Sequence, residues 1–118
     1  MELEPEIVTL SMNIILISGD ARQLIDEAYD CVDQSEFEKA DNKIREARGL
    51  LAKAHGLQTD LIQSESDGCL RQHPLILIHA QDSLMTVNSE LNQFRRLRKM
   101  MGRLDSRLNR LEQCKDGA

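Results

Sequence analysis

The chain has 118 residues, of which 30% are charged and 3% aromatic, with no Trp, one Tyr and two Phe. That suffices for one domain with a modest core and not for two, and the core must be aliphatic and Ala-based, as in helix packed on helix. A net charge of −5 and two prolines, with no strand alternation, no Asn-Gly hairpin and no run near the roughly 20 apolar residues of a membrane span, exclude a β fold and a transmembrane helix.

Three cysteines, Cys31, Cys69 and Cys114, are an odd number without C-x-x-C spacing. They point to a reducing compartment rather than a disulfide framework or a zinc site. The apolar run at Ile14–Ile17 follows Glu2, Glu4 and Glu6, the wrong sign for the start of a signal peptide. A soluble, cytoplasmic, all-α protein is expected, one domain over residues 1–118 with helices over about 5–32, 36–63 and 74–111.

In the first helix, Ile7, Leu10, Ile14, Ile17, Ala21, Leu24, Ala28 and Cys31 repeat at spacings of three and four, a sustained seam. Gly19 lies inside it, and because an interior Gly costs about 1 kcal/mol against Ala, it is expected to mark a kink or a close approach of helices. Ser18-Gly19-Asp20 lacks the further glycines and the lysine of a phosphate loop. Asp33-Gln34-Ser35 is a short break, so the second helix should return antiparallel. Ser35-Glu36-Phe37-Glu38 reads as a capping box with Ser35 at the N-cap. Phe37, Ala40, Ile44, Ala47, Leu51, Ala54 and Leu61 continue the seam, with Gln58 where an apolar residue is expected. His55 has no Cys or His at ligand spacing and reads as a surface or satisfied histidine.

Ser64 to Gly68 is polar and turn-rich, and with Cys69 to His73 it makes a linker of about ten residues. Pro74 then suits the first position of a long third helix. Its main seam is Leu77, Ala80, Leu84, Val87, Leu91 and Phe94, continued after a local overwinding by Leu97, Met101, Leu104, Leu108 and Leu111. A second face carries Ile78, Asp82, Met85 and Ser89. A first turn that is apolar all round needs cover on every side, so copies or partners beyond one chain are expected. Residues 1–90 carry 7 basic and 17 acidic side chains, and residues 91–118 carry 8 and 3. Either the last helix lies against acidic neighbours in the bundle or it serves nucleic acid; the absence of interleaved aromatics and the acidic whole weigh against the second. The sum is an antiparallel three-helix bundle that oligomerises.

His79 is the most reactive side chain in a crowded segment. Neutral imidazole is a nucleophile near neutral pH and can carry a covalent group; a packed histidine bonded to a carbonyl is the plainer reading. Asp82, within about 60° of it on a helix of 3.6 residues per turn, would favour imidazolium and repel a phosphoryl group on the ring. If His79 is a nucleophile, Asp82 should point elsewhere and be neutralised by a metal, a proton or a basic partner, and copies of it meeting at an oligomer seam would need a cation or raised pKa values.

His79-Ala80-Gln81-Asp82, followed by Leu84-Met85-Thr86, resembles the active-site stretch of the phosphotransferase-system enzyme IIA of the lactose/cellobiose/chitobiose class. The resemblance extends to Ser18-Gly19-Asp20-Ala21-Arg22, Phe37-Glu38-Lys39-Ala40, and Ala54-His55 with Leu57-Gln58-Thr59, over about residues 7–95. It implies a homotrimer in which His79 accepts a phosphoryl group from phospho-HPr and passes it to a cysteine of the cognate IIB subunit. The disaccharide, such as chitobiose, cellobiose or lactose, is then phosphorylated as it enters through membrane IIC, without touching this chain. It further implies that Asp82 binds a divalent cation, magnesium being the expected ion, shared by three subunits at the threefold axis. Gln81 is a candidate positioning amide. Two departures stand out: Ser83 occupies a position where the family often has a second histidine, and the last helix is longer and more basic. A non-catalytic helical oligomeric interaction module, in which His79 only packs, is the alternative. A histidine phosphotransfer domain would place a lysine where Asp82 stands, and a diiron bundle would need Glu-x-x-His pairs.

Overall fold

The computed structural model describes residues 5–66 and 74–116. They form three helices, α1 (Pro5–Asp33), α2 (Phe37–Ser66) and α3 (Leu75–Asp116), and among the described residues there is no strand. Cross-helix pairs fix the directions. Lys43 bonds Glu27 at 2.9 Å, Arg98 bonds Asp41 at 2.8 Å and Arg22 bonds Glu90 at 2.7 Å. Neighbours in space therefore run in opposite senses for α1 with α2 and for α2 with α3. The expected linker from Ser64 to His73 is helical through Ser66, and residues 67–73, including Gly68 and Cys69, lie outside the described residues.

The α1–α2 corner differs from the capping box read from sequence. Ser35 N–H donates to the Val32 carbonyl at 2.9 Å and Glu36 N–H to the Cys31 carbonyl at 2.8 Å, the paired bonds of a Schellman cap. Ser35 has φ 60°, so it closes α1 as the left-handed residue after the C-cap. The Glu36 carbonyl, accepting from Ala40 N–H at 3.1 Å, starts α2. A left-handed position is the one place where glycine is preferred to serine, by roughly 1 kcal/mol. Ser35→Gly is thus expected to raise the urea midpoint by an amount equivalent to about 1 kcal/mol; a lowered midpoint would show that the serine side chain supports the corner.

The core is continuous through the three helices. On α2 it takes Ala40, Ile44, Ala47, Leu51, Ala54 and Leu61, and on α3 Leu77, Ala80, Leu84, Val87, Leu91 and Phe94. These are the seams the spacing predicts, with Phe37 half-buried at the edge and Gln58 half-buried at its interrupted position. On α1 the buried row is Ile7, Ser11, Ile14, Ser18, Ala21, Ile25, Ala28 and Val32, which corrects the row through Leu10, Ile17, Leu24 and Cys31. Those four lie half-buried on the flank of the core. The small serines occupy the inner row, where Cβ-sized groups let helices approach closely. Their hydroxyls are buried and have no hydrogen-bond partner among the described residues.

Gly19 corrects a second expectation. α1 runs unbroken through it, it is exposed, and a Cβ added there would meet nothing within 4 Å. It marks neither a kink nor a close approach within this chain.

The bundle closes where α1 turns into α2. There Tyr29 meets Phe94 edge to face, ring centroids 4.9 Å apart and planes at 89°. Arg98 lies over the Phe37 ring, 4.6 Å from its centroid, and grips both oxygens of Asp41 at 2.8 and 3.1 Å. Gly102, one turn further, leaves room for that guanidinium: a Cβ there would stand 2.7 Å from Arg98 Nη1. Beyond this point α3 continues without α1 or α2 beside it, which is why the molecule measures 76 × 21 × 18 Å. Leu104, Leu108 and Leu111 are exposed, so the seam that the sequence extends to Leu111 loses its cover after Met101, which is half-buried against the core. For the same reason the basic end of α3 does not lie against acidic neighbours. Arg98 has Asp41, and the other basic side chains from Arg95 to Lys115 have no acidic partner among the described residues.

Candidate functional site

His79 belongs to the second turn of α3. The Pro74 carbonyl accepts from Leu77 N–H at 3.0 Å and Ile78 N–H at 3.3 Å, so Pro74 stands at the N-cap, one residue before the position read from sequence. Leu77, Ala80 and Leu84 are buried in the shared core. Holding those three inward sets the rotation of the helix, and Ile78, His79 and Asp82 are consequently turned outward. All three are exposed. No side chain among the described residues bonds the His79 ring or the Asp82 carboxylate. The imidazole is therefore open to a visiting protein and is not a packed histidine.

The three site residues inferred from sequence do not converge within one chain. Asp82, one turn on, shares a flank of α3 with His79. Gln81 is half-buried, and residues two apart on a helix point to different sides, so its amide does not face the His79 ring of its own chain. Ser83, four residues after His79, is also half-buried. His55 is exposed on α2, its carbonyl accepting from the Thr59 hydroxyl at 3.0 Å.

Around His79 the surface is apolar and uncovered. Leu75 is 81% exposed, Ile78 52% and Met85 67%, and Ile76 is half-buried. These are large groups to leave in water, and burying a Leu, Ile or Met fully stabilises by about 1.5–3 kcal/mol each. The expectation that one chain cannot cover the start of the third helix is met in its first part: the start is uncovered.

Two open grooves of about 830 and 640 Å³ run between α2 and α3, and Arg45, Arg48, Asn92 and Arg95 line both. His79 and Asp82 line neither. Gln58 borders the larger one, with its carbonyl oxygen buried and unpartnered. The sequence marked Gln58 as a polar break in a seam; only the coordinates show which atom is left without a bond.

For a metal ion the donor set is small. Among the described residues no three His, Cys, Asp or Glu side chains of the chain gather into a cluster. Asp82 is a single outward carboxylate, a hard oxygen donor of the type that magnesium and calcium take. It fits a divalent cation only where other copies add the remaining oxygens.

With this geometry in place, comparison with known proteins gives a consistent answer. Residues 9–101 match the family described as the phosphotransferase system lactose/cellobiose-specific IIA subunit. The lactose-specific EIIA component of Staphylococcus epidermidis is 38% identical over 81 residues, which are 69% of this chain and 78% of that protein. Among solved structures, the cellobiose-specific enzyme IIA of Bacillus anthracis superposes with a TM-score of 0.82 at 30% identity, covering 88% of this chain and 95% of that one. The IIA(chitobiose) of Escherichia coli, solved in complex with HPr, superposes with a TM-score of 0.75 at 29% identity, covering 86% and 99%.

Proposed function

Since the chain belongs to the lactose/cellobiose-specific IIA family of the sugar phosphotransferase system, we propose that His79 is its phosphoryl acceptor. In this reading the ring takes the group from phospho-HPr and hands it to a cysteine of the cognate IIB, upstream of membrane IIC. The observation that carries it is the exposed imidazole of His79, unbonded among the described residues and inside the matched region. The E. coli relative was solved as a complex with HPr, which supports HPr as the donor protein. Among the described residues no helix is long and apolar enough to cross a membrane. In this reading the membrane step belongs to the separate IIC component, and the chain works on the cytoplasmic side with HPr.

The chemistry is two displacements at phosphorus. A bond forms from a ring nitrogen of His79 as the donor's bond to phosphorus breaks; later a thiolate sulfur attacks and the N–P bond breaks. Such transfers have a loose, in-line transition state, and the protein's part is positioning and charge stabilisation. The α3 dipole contributes little, because its effect fades within the first turn. Ile76 and Ile78 flank the ring and keep water from the phosphoryl group when a partner closes over them.

The uncovered Leu75, Ile78 and Met85 support a homotrimer in which α3 of each copy lines the threefold axis. Asp82 of each copy would then meet the others and hold a divalent cation, magnesium by expectation, which supplies neutralising charge beside the phosphoryl site. Gln81 reaches a phosphoryl group only on a neighbouring copy's ring. On this account a chelator should weaken the assembly of the wild type about tenfold, from repulsion of converging carboxylates, and leave Asp82→Asn indifferent. Sedimentation across a dilution series reads both; an equal response of the two proteins would remove the shared cation.

The carrier reading itself is tested by incubating the chain with labelled phospho-HPr and then with IIB. Label should pass through the chain to IIB. A chain that associates with HPr but never becomes labelled would be an interaction module instead.

A further inference from the structure

The side of the bundle between α2 and α3 carries positive charge that nothing in the chain answers. Arg48, Arg95, Arg96 and Lys99 are exposed and have no acidic partner among the described residues, and Arg45 bonds the Asn42 side-chain oxygen at 2.8 Å. All five border the groove of about 640 Å³, and the one carboxylate there, Asp41, is already held by Arg98 at 2.8 and 3.1 Å. Like charges crowded along one groove repel unless an anion lies among them. Arg45 and Arg48 come from α2 and Arg95 from α3, and these three also line the groove of about 830 Å³. They form a cationic waist where the two grooves meet. Guanidinium groups from two helices suit a phosphate, whose oxygens take paired N–H donors.

Below the waist the chemistry changes. The larger groove has no carboxylate and no Lys or Arg besides those three; its other hydrogen-bonding side chains are His55, Gln58, Asn88 and Asn92. The Gln58 carbonyl oxygen is buried there without a donor among the described residues, and a ligand hydroxyl supplies one. We propose that the double groove binds a phosphate monoester of a polyhydroxylated body, a sugar phosphate by class, with the phosphate at the waist and the hydroxyls running along α2 toward Gln58. A nucleotide fits less well, because a base needs an aromatic face; Phe94 is the one aromatic on either groove and is 1% exposed. An acidic protein segment needs cations along its length and finds them in one half only. The site is separate from His79. Arg95 lies 16 residues further along α3, roughly 24 Å at about 1.5 Å per residue. At 3.6 residues per turn it is also about 140° around the helix from Asp82, turned to α2 and not to the face on which copies meet in the reading above. Met85 and Arg96 stand at the groove's edge toward that face. Binding here goes beyond the carrier reading and does not rest on it.

The test is isothermal titration of the full chain, at fixed ionic strength, with glucose 6-phosphate, glucose, inorganic phosphate, AMP and polyglutamate in turn. Glucose 6-phosphate should saturate one site per chain about tenfold more tightly than inorganic phosphate, and glucose should give no saturable heat, because the charged head anchors the body. Arg48→Gln and Arg95→Gln, both at exposed positions, should each weaken glucose 6-phosphate by about tenfold with the melting curve unchanged. Gln58→Leu should weaken glucose 6-phosphate severalfold and leave inorganic phosphate as it was, since it removes an acceptor for a hydroxyl and no donor to phosphate. Equal affinity for inorganic phosphate and glucose 6-phosphate would reduce the groove to an anion patch and overturn the proposal. Tighter binding of AMP or of polyglutamate than of glucose 6-phosphate would assign the groove to a nucleotide or to an acidic protein, and overturn it as well. So would binding that neither arginine variant weakens, or no saturation by glucose 6-phosphate below about 10 mM.

Discussion

Replacing His79 by Ala should abolish phosphoryl acceptance from phospho-HPr while leaving the melting curve of the protein unchanged. Both halves follow from its placement. The ring is exposed and bonded to nothing among the described residues, so its removal opens no cavity and orphans no partner. Surface substitutions of that kind stay within about 0.5 kcal/mol. Acceptance, by contrast, needs a nucleophile, and alanine has none. No neighbour substitutes for it: Asp82 carries the wrong charge, Gln81 points away, and Ser83 is half-buried and lacks an adjacent base to activate its hydroxyl. His79→Gln keeps the polar outline of the ring without its nucleophilicity and should be equally inactive. A variant that still accepts phosphate would move the acceptor elsewhere; one that fails to fold would show that the ring carries structural weight in the assembled protein.

The largest effect on stability is expected at Phe94. It is 1% exposed and the largest of the fully buried side chains, and it makes the edge-to-face contact with Tyr29 that ties α3 to the end of α1. Phe→Ala in such a core costs about 3–5 kcal/mol, from lost transfer energy and from a cavity that the neighbours fill only in part. The aromatic pair adds about 0.5–1.5 kcal/mol to what area alone gives. For a domain of this size the melting temperature should fall by more than about 10 °C. Phe94→Leu, which keeps much of the volume, should lose less than half as much. A loss below about 1 kcal/mol for Phe94→Ala would mean that α1 and α2 collapse onto the gap and that the corner is looser than its geometry indicates.

Much of this was legible before any coordinates. On α2, and on α3 from Val87 to Phe94, one apolar row stands against a mostly polar face, and the buried residues are those that the spacing selects. α1 was harder because it carries competing rows. Leu10, Ile17 and Leu24 are the more hydrophobic set, yet the inner row holds Ser11 and Ser18, and close helix approach rewards small size over apolarity. Ser35 is ambiguous in the sequence for a related reason: Ser-x-x-Glu before an apolar run suits an N-cap, and only its φ of 60° shows that the residue closes the previous helix. The stripe beyond Met101 reads as core in the sequence because periodicity records amphipathicity and not the presence of a neighbour. His79 stood out by residue type and motif. Its exposure depends on how Leu77, Ala80 and Leu84 rotate α3, and the meeting of several Asp82 side chains is a property of an assembly that one chain does not contain.

The most direct measurement is the mass of the intact protein after incubation with phosphoenolpyruvate, enzyme I and HPr, followed by peptide mapping at alkaline pH. The account predicts one added phosphate per chain, labile in acid, on the peptide that contains His79. No added phosphate, an acid-stable one, or a phosphate on the peptides of His55 or His73 would contradict it.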